Sequence, residues 1–191
     1  MKILVTGGTG FIGQHLLRFL LQKPESEVYA LVRQPQKIEP ALESALNLLR
    51  GDLFNLPPLP PDLDLVFHLG DYIYEGRGNR TYTGSGGTMD NPRQHLGGEI
   101  YSLDDYRRRY AQYKMDSDLQ ASHAATSWFC TWDDHETDNN WTAALDQDGT
   151  PPEVFNLRRQ AAAQAYYENM PLRRSSFPTG AAIQLYRHAT W

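Results

Sequence analysis

A doubly wound α/β fold, built on a mostly parallel sheet of strand order 3-2-1-4-5 with a long glycine-rich insertion, is predicted by three features of the sequence. Short β-branched runs alternate with helical stretches as far as Gly70. Closely spaced glycines stand between the first strand and the first helix. Two acidic segments, Asp71–Glu75 and Asp133–Glu136, each follow a later apolar run. Strand, helix and strand in alternation favour parallel pairing through right-handed crossovers.

Taken in order, Lys2–Thr6 is a short apolar run ending at Gly7, as expected of a strand covered on both faces. From Phe11 to Gln22 the residues Phe11, Ile12, Leu16, Leu17, Phe19 and Leu20 recur at helical spacing, and Pro24 stops the pattern. Val28–Val32, a weaker helical stretch near Pro40–Asn47, Leu48–Arg50 and Leu65–Leu69 continue the alternation. Pro57–Pro61 forbids regular structure between the last two. Residues 76–98 hold seven of the 15 glycines, which predicts a long irregular loop. Ser102 with Asp105 three residues on marks a helix start, carrying Tyr106, Tyr110 and Tyr113 on one side and the run Arg107–Arg109 on its outer face. Ser127–Trp132 reads as a buried strand delivering Asp133 and Asp134. Thr150, two prolines and Glu153 have the form of a capping box opening a helix to about Asn169. Ile183–Tyr186 is expected to form an edge strand.

Composition narrows the function classes. The chain has 191 residues, a formal net charge of -5 and interspersed charges, so it offers no basic patch for nucleic acid or an anionic membrane. A single cysteine, Cys130, excludes an internal disulfide and a thiolate-rich metal cage and suits a reducing compartment, with the cytoplasm the simplest address. No apolar run approaches the length of a membrane-spanning helix, and Met1–Thr6 leads into the glycine loop without a targeting signal.

Gly7, Gly10 and Gly13 stand at spacing G-x-x-G-x-x-G between a strand and a helix, where a tight turn can present free amides, those of Phe11, Ile12 and Gly13 among them, to a pyrophosphate. With this loop (TGGTGFIG), the Arg50–Leu53 turn and the strand end Val66–Gly70, residues 1–70 resemble the N-terminal part of an extended short-chain dehydrogenase/reductase of the NAD-dependent epimerase/dehydratase kind, a half-Rossmann dinucleotide-binding unit. The resemblance implies that Asp52 contacts the adenine ring and that the chain near Gly70 flanks the cofactor. Arg33 stands where many relatives grip the ribose hydroxyls with an acid. Arginine pairs well with a 2′-phosphate, which favours NADP over NAD. Tyr110 and Lys114 copy the spacing of a reductase's catalytic pair but precede the strand they should follow. They are read as ordinary helix-surface residues, so reductase chemistry is not supported.

Carboxylates at the carboxyl ends of adjacent parallel strands face a common crevice, and convergent anions call for a cation. Two ions in such a site can clamp a phosphoryl group. Phe67–Glu75, Ser102–His123 with YRRRYAQYK, Trp128–Trp141 with TWDDHE, and Arg158–Arg173 together resemble the alkaline phosphatase D family. That resemblance implies iron ligation by Asp71 and Tyr74, calcium facing Asp71, a ligand position at Asp134, and contact of His135 with the phosphate or its leaving group. The family's upstream cysteine segment and downstream aspartate and histidine motifs have no counterpart between Met1 and Trp191, so little or no activity is expected, and Cys130 does not replace the missing ligand.

The run Val66–Gly70 suits both families, so one strand can serve both. The expectation is a dinucleotide-binding unit over 1–70 and a phosphatase fragment over 71–191 on the same sheet. Dinucleotide binding ranks first as its function. Residual metal-dependent hydrolysis of phosphodiesters or phosphomonoesters is the second reading, and an inert recombination or designed product the third. Its ligands are a small dinucleotide or phosphoester.

Overall fold

The structure is a computed structural model that describes residues 1–32, 34–51, 62–84, 87–91 and 93–188. Its elements are β1 (Lys2–Thr6), α1 (Phe11–Leu21), β2 (Glu27–Val32), α2 (Pro40–Glu43), β3 (Asn47–Arg50), β4 (Leu65–His68), β5 (Thr81–Gly84), β6 (Gly87–Asp90), α3 (Leu103–Lys114), α4 (Ser117–Ala125), β7 (Ser127–Cys130) and α5 (Pro152–Asn169). They divide into two compact units: Met1–Leu69 with Gln120–Thr131, and Gly70–Leu119 with Trp132–Trp191.

The first unit holds a five-stranded, all-parallel sheet ordered β3-β2-β1-β4-β7, the predicted 3-2-1-4-5 with β7 as its fifth strand. Ile3 lies between Val28 and Leu65, Val5 between Ala30 and Phe67, and Phe67 beside Phe129. In β1 the consecutive Ile3, Leu4 and Val5 are all buried, as expected of a strand covered on both faces. The stripe Leu17 and Leu20 of α1 closes over Ile3, Val5, Val28, Ala30 and Val32 in one buried cluster. Each large side chain so buried contributes about 1.5–3 kcal/mol.

β4 also carries His68, stacked on Trp128 with ring centroids 5.6 Å apart, while His123 stacks against the same indole at 4.2 Å. Burial, reinforced by the nearby His123 charge, pulls the His68 imidazole down to about 4. The unfolded chain then binds a proton near pH 6.5 that the folded one refuses until about pH 4. This stability is present above pH 6.5 and lost as pH falls through that window, by about 2 kcal/mol between pH 7.5 and 5. Urea unfolding at the two pH values is expected to show the loss, and His68→Phe is expected to reduce it.

In the second unit α3 packs against α5. The predicted cap of α3 is present: the Ser102 hydroxyl accepts from the Asp105 amide, and the Asp105 carboxylate accepts from the Ser102 amide. Tyr106, Tyr110, Phe155 and Tyr166 are fully buried between these helices and the loops around them. Arg107 of α3 makes two bonds to the Glu168 carboxylate of α5, at 2.7 and 2.6 Å. Arg158, itself buried, pairs with Asp138 at 3.1 Å and Glu99 at 2.9 Å and donates to the Tyr106 hydroxyl at 3.0 Å. A buried guanidinium tolerates desolvation only with partners of this kind.

Several expectations fail, each for a local reason. Residues 76–98 are not wholly irregular, since β5 and β6 pair antiparallel from Thr81↔Asp90 to Gly84↔Gly87. Arg109 is not on the outer face of α3 but is 2% exposed, because carbonyls of the neighbouring loop take its guanidinium. Tyr110 is likewise fully buried rather than at the helix surface, and Lys114 donates to the Asn169 carbonyl, which makes their spacing a matter of packing. No capping box forms at Thr150: α5 takes Pro151 as N-cap without a side-chain bond, and the Thr150 amide donates to Asp146. Ile183–Tyr186 is not a strand; pairing there stops at the isolated bridge Thr179↔Ala182. The helical stretch near Pro40 is the single turn α2, and α4 is a further helix that buries none of its residues.

Candidate functional site

In the first unit, β1 delivers Gly7 with φ +72°, a left-handed conformation that favours glycine. The Gly10 amide donates to the Gly7 carbonyl at 3.1 Å, closing the turn, and Gly10 becomes the N-cap of α1 with no side-chain bond to the first-turn amides. Those of Phe11, Ile12 and Gly13 open the helix, and Phe11 and Ile12 are exposed. A Cβ on Gly13 would lie 2.2 Å from the Gly7 oxygen and 2.8 Å from the Gly8 Cα, so loop and helix close only around glycine. An uncapped helix N-terminus beside a loop in which only Thr9 carries a side chain suits an anionic pyrophosphate. Of the predicted cofactor contacts, Gly7, Gly10, Phe11, Ile12 and Gly13 are brought together in this loop. Arg33 and Asp52 lie outside the described residues.

In the second unit, the stretch just after β4 in sequence meets the stretch just after β7. Gly70, at φ +108°, packs so tightly that a Cβ there would lie 2.4 Å from the Asp133 Cβ. Asp71 follows with φ +57°, a left-handed conformation that aspartate adopts more readily than most residues. One carboxylate clamps the two stretches. Glu136, fully buried, accepts the amides of Asp71 at 3.1 Å, Tyr72 at 2.5 Å and Asp133 at 2.8 Å. Burial pushes its carboxyl up to about 7 against the pull of those three amides.

The clamp brings together the predicted metal ligands Asp71, Tyr74 and Asp134 and the predicted catalytic residue His135. Asp71, Asp134 and His135 each offer a ligand atom, all within 4.8 Å of one another. Tyr74 joins them: its hydroxyl donates to Asp71 Oδ2 at 3.1 Å, and its ring lies 4.3 Å from that of His135. The other Asp71 oxygen, Oδ1, is buried with no hydrogen-bond partner among the described residues. Asp134 Oδ2 accepts the Asn140 amide at 2.6 Å. Negative charge is crowded here. Burial first, then the charges of Asp134 and Asp71, push the Asp133 carboxyl up, and burial with the Asp71 charge pushes the Tyr74 hydroxyl up. The donor set, three oxygens and an imidazole around an unsatisfied carboxylate oxygen, fits a hard or borderline cation.

His135 is held by a residue the sequence reading gave no role. The Glu75 carboxylate, largely buried, bonds His135 Nδ1 at 2.7 Å and accepts the Asn139 amide at 3.0 Å. A carboxylate only accepts, so Nδ1 carries the hydrogen and Nε2 is the free edge. Burial pulls the imidazole down, but the Glu75 hydrogen bond and the charges of Glu75, Asp71 and Asp134 leave it above its usual range. Glu75 and Glu136 both stand inside the acidic segments singled out from sequence. Their roles show only when the two segments meet.

Comparison with known proteins divides along the chain. The sequence profile of the PhoD-like phosphatase family matches residues 56–191, and that of the NAD dependent epimerase/dehydratase family matches residues 3–82. Alkaline phosphatase D of Bacillus subtilis (strain 168) is 54% identical over 129 residues, which is 68% of this chain and 21% of that protein. UDP-glucose 4-epimerase of Streptococcus mutans serotype c is 33% identical over 78 residues, 38% of this chain and 23% of that protein. A solved structure of PhoD superposes with a TM-score of 0.61 at 55% identity, over 68% of this chain and 24% of that one. The chain thus spans between a fifth and a quarter of the length of the relatives it matches. Among the described residues no helix is long and apolar enough to cross a membrane. The phosphatase profile covers more than two thirds of the residues and the dinucleotide-type profile most of the remainder, so the chain belongs to the PhoD-like phosphatase family and carries an NAD dependent epimerase/dehydratase-like region at its amino-terminal end.

Proposed function

We propose that Asp71, Tyr74, Asp134 and His135 form a metal-dependent phosphoester-hydrolysing site. The observation that carries this is the convergence of ligand atoms of Asp71, Asp134 and His135 within 4.8 Å, with the Tyr74 hydroxyl bonded to Asp71, beside a buried Asp71 oxygen that no described residue satisfies. Asp71, Tyr74 and Asp134 hold the metal, with iron and calcium as the ions the family resemblance names. When bound, such a cation supplies Lewis-acid polarisation of a phosphoryl oxygen. Glu75 fixes the ring of His135 by its Nδ1 edge and holds it above its usual range, so that Nε2 carries a proton toward a phosphoester oxygen or its leaving group. The Tyr74 ring, lying against the imidazole, limits its rotation.

Asp134→Asn is expected to weaken iron and calcium binding to metal-stripped protein by about tenfold or more. Calorimetric titration reads this directly, with hydrolysis of an aryl phosphate falling in parallel. Equal affinity in the variant, or no binding by the unsubstituted protein, overturns the proposal.

A second reading, dinucleotide binding at Gly7–Gly13, is favoured by a separate observation: the uncapped start of α1 beside a loop that closes only around glycine. Arg33 favours NADPH over NADH in this reading. Saturable fluorescence titration with either supports it, and a flat response to both overturns it.

A further inference from the structure

A cleft of about 460 Å³ in the second unit is lined by Arg77, Gly78, Asn79, Arg80, Gln94, His95, Gly97 and Gly98. Among the described residues its lining holds two arginines and no acidic residue. Among the described residues neither Arg77 nor Arg80 makes an ion pair, whereas nearby Arg93 is taken by Asp116 and Asp118 and Arg158 by Asp138 and Glu99. Two uncompensated arginines on one concave wall repel each other unless an anion lies between them.

The backbone of this cleft is fixed from behind. Arg109, almost fully buried, donates to the carbonyls of Gly76 and Gly98 at 2.9 Å each and to that of Tyr74, so it ties both ends of the segment to α3. Asn91, also buried, donates through Nδ2 to the Asn79 carbonyl at 2.9 Å, and its own amide donates to the Arg80 carbonyl at 2.9 Å. His95 is pinned at both nitrogens, Nδ1 to the Gly76 carbonyl at 2.7 Å and Nε2 to the Tyr113 hydroxyl at 2.9 Å. These carbonyls are thus taken up by hydrogen bonds within the protein, while Arg77 and Arg80 are exposed. Guanidinium forks match the geometry of tetrahedral oxyanions, which they can bind two oxygens at a time, and the lining sets two arginines beside the glycines Gly78, Gly97 and Gly98.

We propose that this cleft is an oxyanion site that takes a phosphate-type group between Arg77 and Arg80, with Asn79 and Gln94 as neutral donors beside them. It uses none of the carboxylates of the metal-type cluster and stands whether or not that cluster holds a cation. Arg109, which donates to the carbonyls of both Tyr74 and Gly76, gives the cleft wall and the Asp71–Tyr74 stretch a common anchor.

The test is a titration of the full chain with inorganic phosphate and with methyl phosphate at constant ionic strength, followed by amide and arginine side-chain NMR shifts. Saturating shifts are expected at Gly78, Gly97, Gly98 and the two arginine side chains, and the affinity is expected to fall about tenfold or more in the Arg77→Gln, Arg80→Gln double variant. Asp134→Asn is expected to leave this binding unchanged, which separates its outcome from that of the hydrolase proposal. Saturation by both probes assigns the cleft to an esterified phosphate, and saturation by inorganic phosphate alone to the free anion; either supports the site. Shifts that do not saturate, or that persist undiminished in the double variant, overturn it.

Discussion

Glu136→Ala is expected to destabilise the protein by about 3–5 kcal/mol and to disperse the cation cluster along with it. The side chain is fully buried, and its two oxygens satisfy three backbone amides, those of Asp71, Tyr72 and Asp133. A buried amide left without an acceptor costs about 1–3 kcal/mol, and water entering the vacated space recovers part of that sum. Glu136→Gln separates the two effects. Oε2 serves both Asp71 and Asp133 while Oε1 serves Tyr72, so a glutamine oxygen in the Oε2 place keeps two bonds of the three. Its amide group then faces the Tyr72 N–H, donor against donor. The expected cost is about 1–2 kcal/mol. Urea unfolding ranks the three proteins, and calorimetry with iron or calcium is expected to show affinity falling in the same order. A Glu136→Ala protein as stable as the parent would remove the clamp from the account of the site.

What the sequence reveals and what it hides follow from where each residue's partners lie. The first strands and helix are legible because β1 and β2 are short continuous apolar runs and the apolar residues of α1 recur at helical spacing. β5 and β6 are four residues each, edged by the same glycines that signal a loop, and their pairing is local to a hairpin, so no run of apolar residues betrays them. In α4 no residue is buried, which leaves no stripe to read. Three consecutive arginines look solvated until carbonyls of Tyr74, Gly76 and Gly98 are seen to converge on the third. At the candidate site Asp71, Asp134 and His135 stand out in the sequence as acids and a histidine just after two apolar runs, while Tyr74 is implied by the resemblance to the alkaline phosphatase D family. The roles of Glu75 and Glu136 are not legible, since their partners are amides and an imidazole on the opposite stretch, up to 65 residues away. Arg33 and Asp52 stand outside the described residues, and the cofactor preference drawn from Arg33 rests on the titration.

The glycine loop gives the second large effect, and it sets two known contributions against each other. Gly13 lies in the first turn of α1, where alanine would ordinarily stabilise a helix by up to about 1 kcal/mol. Its Cβ, however, would meet the Gly7 oxygen at 2.2 Å and the Gly8 Cα at 2.8 Å, both backbone atoms with no rotamer to turn aside. Overpacking of this kind costs about 1–3 kcal/mol in a side-chain core, and a rigid turn stands at the upper end or beyond, so Gly13→Ala is expected to destabilise by a net 2 kcal/mol or more. Gly10→Ala is the control. Its Cβ would find only the Gly7 oxygen, at an ordinary 3.5 Å, and its φ of -78° suits any residue. Alanine there gives up only the small advantage glycine has as an N-cap, about 1 kcal/mol at most. If the loop cradles a pyrophosphate, NADPH affinity is expected to drop tenfold or more in Gly13→Ala, because opening the turn withdraws the amides at the start of α1, and by much less in Gly10→Ala. Equal stability of the two variants would mean that loop and helix part more easily than their packing indicates. Equal NADPH affinity, with only Gly13→Ala destabilised, would mean that the glycines serve the turn alone.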